Sequence, residues 1–217
     1  MASNNLRGAA LALLAMGIYA THDVVIKTLG GTYPPLQILF FASLLSFPLV
    51  TLILLRDPNP GTLRATNPGW VALRTVCAVI GGMCGFYAFS TTPLAQVYAI
   101  LFSMPLLITV LSIPLLGEKV GRHRWIAVAL GLIGVMIVLR PGTQSLSAGH
   151  LAALVAAVTG ATAAVIIRRV GGTERPMVLM MWPMLANFVV TGASLSLAYE
   201  PMALADMGLS ALIAAMG

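Results

Sequence analysis

The 217 residues are 59% hydrophobic and only 8% charged, with a mean hydropathy of +0.97. Such a chain cannot clothe a globular domain in polar side chains, which excludes a water-soluble enzyme and a disordered segment alike. A formal net charge of +6 would suit nucleic acid, but the basic residues flank apolar runs and form no patch, so the partners expected are a lipid bilayer and not nucleic acid.

A helix needs about 20 apolar residues to cross a bilayer. Seven runs meet or approach that length, at 6–29, 35–55, 70–91, 94–116, 125–139, 148–167 and 177–199, and an eighth starts near Ala203. The first run follows Arg7 and has a small residue at Ala20, like a secretory leader. It continues through Val24, Val25 and Ile26, and is read as a membrane helix. It also carries His22 and Asp23, ionisable groups that are expensive in a membrane unless they face protein or water. An Asp beside a His can hold and release a proton, which makes the pair a candidate for substrate contact or proton coupling. The blander alternative pairs Asp23 with Lys27 one turn later. Tyr19, His22, Asp23 and Ile26 share a face by their spacing.

In the third run Arg74 sits one turn from the end. It either snorkels to the lipid headgroups or offers a carboxylate or phosphate an anion-binding group. Cys77 and Cys84 are seven residues apart, about 10 Å along a helix, too far to bridge. Gly81 and Gly85 have the spacing of close helix packing, as do Ala127 and Gly131. Tyr87, Gln96 and Tyr98 gather near one end of the third and fourth runs, either as a vestibule for an aromatic or polar small molecule or as interfacial anchors. Pro105 would bend the fourth run, as a hinge or a fixed kink. Glu118 lies beside Lys119, Arg122 and Arg124 at a turn, a surface ion cluster. Trp182 and Asn187 are further candidates in the seventh run.

With the N-terminus inside, the basic residues other than Lys27 and Arg140 fall on the inner side, where the positive-inside rule places them. A shift of 141 residues then lays GGTYPP (30–35) on GGTERP (171–176) and matches twelve of the 28 positions from 8 to 35, including Gly8 with Gly149, Thr21 with Thr162 and Val24 with Val165. Five runs separate the copies, so the two units are inverted. Inverted repeats recur in secondary transporters, where a site between opposed halves opens to either face.

The stretch 94–142 carries a PLA opening (93–95), a helix with Pro105, an LGEKV turn (116–120), an RHRW start (122–125) and a GLIGV…LRPG finish. It resembles the end of an EamA-type repeat of the drug/metabolite transporter superfamily, and VVIK (24–27) and PPLQILFF (34–41) resemble the family's first two helices. The resemblance implies an all-α integral membrane protein built as inverted five-helix repeats. Of that ten-helix transporter fold about seven and a half helices are present, as a first repeat at 6–142 and part of a second at 148–217. The chain accordingly reads as a transporter interrupted in its second repeat, unless two copies complete each other as a homodimer. Ala42 stands where relatives often carry Arg. The resemblance further implies a bacterial inner-membrane location, a small-molecule substrate moved by alternating access, and no enzymatic activity. A membrane-embedded enzyme using His22 and Asp23 and a non-transporting scaffold are the competing readings. No Gly-rich phosphate loop is present, and His22, His123 and His150 lie apart, so neither a cofactor nor a metal is expected.

Overall fold

Proline punctuation sets most of the helix starts. Pro35, Pro68, Pro105 and Pro176 each occupy the first turn of a helix, where the missing N–H has no intrahelical partner in any case. The computed structural model describes residues 2–56, 61–139, 147–196 and 199–216. Arg140 and the RPGTQS connection lie outside these residues, as does the side chain of Arg7. The described residues form nine helices and no strand: α1 Ala2–Leu29, α2 Pro35–Leu55, α3 Pro68–Thr91, α4 Leu94–Leu101, α5 Met104–Leu116, α6 Arg122–Leu139, α7 Ala148–Val170, α8 Pro176–Leu195 and α9 Leu204–Met216.

Among the described residues six spans are long and apolar enough to cross a membrane, α4 and α5 counting as one. The fifth run, α6, has 18 residues, within the range of about 17–25 that can span, although it opens on Arg-His-Arg. The run around Pro105 is broken. The Phe102 and Ser103 N–H groups donate to the Tyr98 and Ile100 carbonyls, at 2.8 and 3.0 Å, and the chain turns there before α5 begins. At the far end of α5 Gly117 takes φ 71°, the left-handed conformation that closes a helix without a Cβ clash, which is why the LGEK turn needs its glycine.

The repeat correspondence pairs α1 with α7, α2 with α8 and α3 with α9, and the packing follows it. α2 lies against α8, with Phe40 stacked on Phe188 at 5.1 Å between ring centroids. α3 packs on α7 and α8 as α9 packs on α1 and α2. Small residues allow the α3–α7 approach: a Cβ on Gly81 would come within 2.8 Å of Thr159 Oγ1. Gly85, the other half of the expected packing motif, faces open space, whereas Gly131 lies against Leu106. One buried cluster, with Ile26, Ile38, Ala88 and Val97, occupies the end of the bundle that bears Lys27. A second, with Val71, Ile166 and Val178, occupies the other end. The cysteines are free. Leu11, Leu14, Ile133 and Ile137 are exposed on α1 and α6, on surface that only lipid or protein can cover.

Candidate functional site

Asp23 is 8% exposed in the last two turns of an apolar helix, so its carboxylate must find polar partners. It has two. Its Oδ1 lies 2.9 Å from His22 Nδ1, and its Oδ2 accepts a 2.7 Å hydrogen bond from the Tyr98 hydroxyl of α4. The structure thus brings together three of the residues singled out in the sequence. Lys27 is not among them. Its Nζ donates at 3.0 Å to the Ser90 and Thr92 carbonyls, which end α3 and lack helical N–H partners. The local Asp23–Lys27 pairing is therefore corrected: unmet carbonyls on a neighbouring helix outcompete the acid one turn away. A Cβ on Gly30 would meet Ser90 Cβ at 2.3 Å, so this crossing of α1 and α3 needs a glycine.

The His22 ring faces a cavity of about 480 Å³ between the two repeats, whose walls come from α1, α2, α3, α8 and α9. Arg74, Ser43, Ser46 and Asn187 supply its other polar groups, and Phe86 meets the His22 ring edge-on at 6.2 Å. Arg74 turns inward, contrary to snorkelling. Its Nη1 donates to the Leu179 carbonyl of α8. That carbonyl is free because its ordinary partner four residues on is Pro183, which has no N–H. Arg74 Nε and Asn187 Oδ1 are buried without a partner. Ser46 Oγ is satisfied by the Ala42 carbonyl at 2.8 Å.

The remaining candidates scatter. Tyr19 is half exposed and meets the His22 ring edge-on at 6.2 Å. Tyr87 lines a separate cavity of about 330 Å³ with Pro34, Gln37, Met83 and Cys84, at the Lys27 end of the bundle. Gln96 Oε1 lies 2.8 Å from His150 Nε2. That ring's Nδ1 accepts from the Ser147 N–H at 3.1 Å, so the pair anchors the start of α7. Trp182 Nε1 donates to the Leu63 carbonyl at 3.2 Å, tying α8 to the connection before α3. Glu118 pairs with Arg168 of α7 rather than with the basic residues beside it.

The GGT-x-x-P strings proved to hold a function that their identities conceal. At the first of the two positions where they differ stand Tyr33 and Glu174, which are equivalent, and each reaches the start of the opposite repeat's third helix. Glu174 accepts from the Asn67 and Thr66 N–H groups at the start of α3, the latter at 3.1 Å, and from Asn67 Nδ2. Burial pushes its pKa up, but these hydrogen bonds outweigh that and hold it below the ordinary carboxylate value. Tyr33 donates to Asp206 Oδ2 at 2.7 Å at the start of α9, a hydrogen bond that raises the phenol's pKa. Nothing in a single helix's periodicity announces these ties. Only the aligned repeats mark the two positions as equivalent.

Residues 6–140 match the EamA-like transporter family. A riboflavin transporter of Vibrio cholerae is 32% identical over 125 residues, 57% of this chain and 42% of that protein. An S-adenosylmethionine uptake transporter of Rickettsia felis is 24% identical over 179 residues, covering 82% of this chain and 60% of the relative. A pseudopaline exporter of Pseudomonas aeruginosa is 28% identical over 163 residues, covering 75% and 57%. The chain thus spans about half the length of the relatives it matches.

Proposed function

The chain belongs to the EamA-like transporter family, whose members and relatives are membrane transporters and not enzymes, and from that premise we propose that it is a secondary transporter moving a small, cofactor-like organic metabolite by alternating access. One observation carries this reading above the rest. The cavity of about 480 Å³, mainly apolar with His22, Arg74 and Asn187 set in its wall, lies where the inverted repeats meet, within the range of about 300–1,000 Å³ typical of small-molecule sites. Rocking one repeat against the other about α2 and α8 would expose it to each face in turn. The N-terminus is taken as cytoplasmic, on the distribution of Lys and Arg.

His22, Asp23 and Tyr98 are the proposed coupling group. His22 borders the cavity, Asp23 lies behind it, and Tyr98 anchors the carboxylate to α4, so a proton exchanged at His22 changes the charge on the cavity wall. Arg74 and Asn187 are the proposed substrate contacts. Tyr87 fits a vestibule at the Lys27 end, Tyr19 does not share its hollow, and Pro105 fits a pivot between α4 and α5. Gln96 and Trp182 are engaged in helix anchoring, and nothing at them favours a substrate role.

The test is counterflow in proteoliposomes loaded in turn with riboflavin and S-adenosylmethionine. Saturable counterflow of either supports transport, and none with any cofactor-like metabolite overturns it. The coupling role is read separately. Asp23→Asn should abolish acceleration by an imposed pH gradient while counterflow persists, and a variant as pH-responsive as the parent removes Asp23 from coupling.

A further inference from the structure

We infer that the central cavity recognises an elongated anionic metabolite at two points, with a carboxylate or phosphate at Arg74 and an N–H-bearing ring at Asn187. This deepens the transport reading and rests on it. Buried polar atoms in folded proteins are nearly always hydrogen-bonded, so each orphan calls for an account. Two of the orphaned atoms among the described residues, Arg74 Nε and Asn187 Oδ1, belong to residues lining this cavity. One is a donor with a full positive charge. The other is an acceptor. Both atoms are covered as the chain stands, so a ligand reaches them only as the two side chains turn into the cavity they line, and it must then bring an anion to the guanidinium and a donor to the amide oxygen.

Spacing sets the ligand's shape. Leu179, which holds Arg74, and Asn187 are two turns apart on α8, about 12 Å along the axis. The free carbonyl above Pro183 fixes the guanidinium by one of its five N–H donors and leaves Nε without a partner. The other end is built differently. Gly82 brings α3 close beneath the Asn187 amide, a Cβ there lying 3.6 Å from Oδ1. Phe86 and His22 stand one turn further along, in edge-to-face contact with each other, and add aromatic surface to the cavity wall. Charge agrees with shape. No carboxylate is among the residues lining the cavity in the described structure, and Asp23 is held behind His22 by Tyr98.

The experiment is equilibrium binding to the chain in lipid nanodiscs, with two matched pairs of probes. Riboflavin 5′-phosphate is set against riboflavin, and S-adenosylmethionine against its decarboxylated analogue. In at least one pair the member that carries the carboxylate or phosphate should bind about tenfold or more tighter, as a charge-assisted hydrogen bond of about 1.5–3 kcal/mol implies. Arg74→Gln, which keeps a donor for the Leu179 carbonyl, should erase that preference, and Arg74→Lys should retain part of it. Asn187→Leu should weaken both members of the pair by a similar factor and leave their ratio unchanged. Equal binding within both pairs, or a preference that survives Arg74→Gln, overturns the inference. Saturable counterflow of these probes without anionic preference overturns it while leaving transport standing. Neither binding nor counterflow of any probe overturns both.

Discussion

Lys27 and Asp23 lie one turn apart on α1, in the order that favours an ion pair, yet each is used elsewhere. Sequence spacing reveals which residues are able to meet along one helix, and it is silent on the acceptors a second helix presents. The carbonyls at the end of α3 are such acceptors, and in a medium without water they need a donor more than Asp23 needs a cation. His22 and Tyr98 meet the carboxylate instead. Two changes separate these roles. Tyr98→Phe leaves one carboxylate oxygen without its hydroxyl and should destabilise the protein by about 1–3 kcal/mol in chemical unfolding from mixed micelles. Lys27→Met should cost about 1–2 kcal/mol by uncapping α3, and leave the pH response of counterflow untouched. A pH response altered by Lys27→Met would return the lysine to the proton site. Arg74 teaches a similar lesson. Its depth in α3 was legible as an unusual charge, but its direction depended on a carbonyl freed by Pro183, a residue 109 positions away that no reading of α3 contains.

Helix number, the break at Pro105 and the inverted repeat are legible because apolar length, proline and a shared GGT-x-x-P string are local signals. The ties made by Tyr33 and Glu174 are not, since selection for identity passes over positions where the repeats differ. Each tie closes the N-terminal amides or first turn of a helix belonging to the other half, so helix starts on opposite repeats depend on one another. The chemistry differs and so does the pH at which each fails. The folded pKa of Glu174 is depressed, so its contribution is complete above the ordinary carboxylate range and is lost as pH falls through the folded value. Tyr33 has the opposite sign: its pKa is raised, and its contribution is present below the ordinary phenol value and lost as pH rises past it. Unfolding followed from neutral to acid pH should therefore show a loss in the parent that Glu174→Gln lacks. At neutral pH Glu174→Ala should cost about 1 kcal/mol, the usual worth of a helix cap. An acid profile that Glu174→Gln leaves unchanged would remove the carboxylate from that role.

Two hollows lie along the interface of the repeats and open toward opposite ends of the bundle. The smaller, with Cys84 and Tyr87, is framed by the start of α2 and the end of α8. The larger reaches from His22 to Ile53 and Arg74 near the other ends of α2 and α3. On α2 they approach within one turn, at Gln37 and Leu39. Under the proposed alternating access, opening one hollow would close the other. Cys84 is a native reporter on the first, and Cys77 is buried. With Cys77 replaced by Ser, and Ser43→Cys added as a reporter on the second hollow, a membrane-impermeant thiol reagent should label Cys84 from one side only and the new cysteine from the other only. Riboflavin or S-adenosylmethionine, whichever shows counterflow, should change the two labelling rates in opposite directions. If both rates rise or fall together, the ligand loosens or tightens the whole bundle and the repeats do not alternate. If the new cysteine alone is protected, the ligand merely fills the cavity. Only the opposed response identifies one movement that couples both hollows.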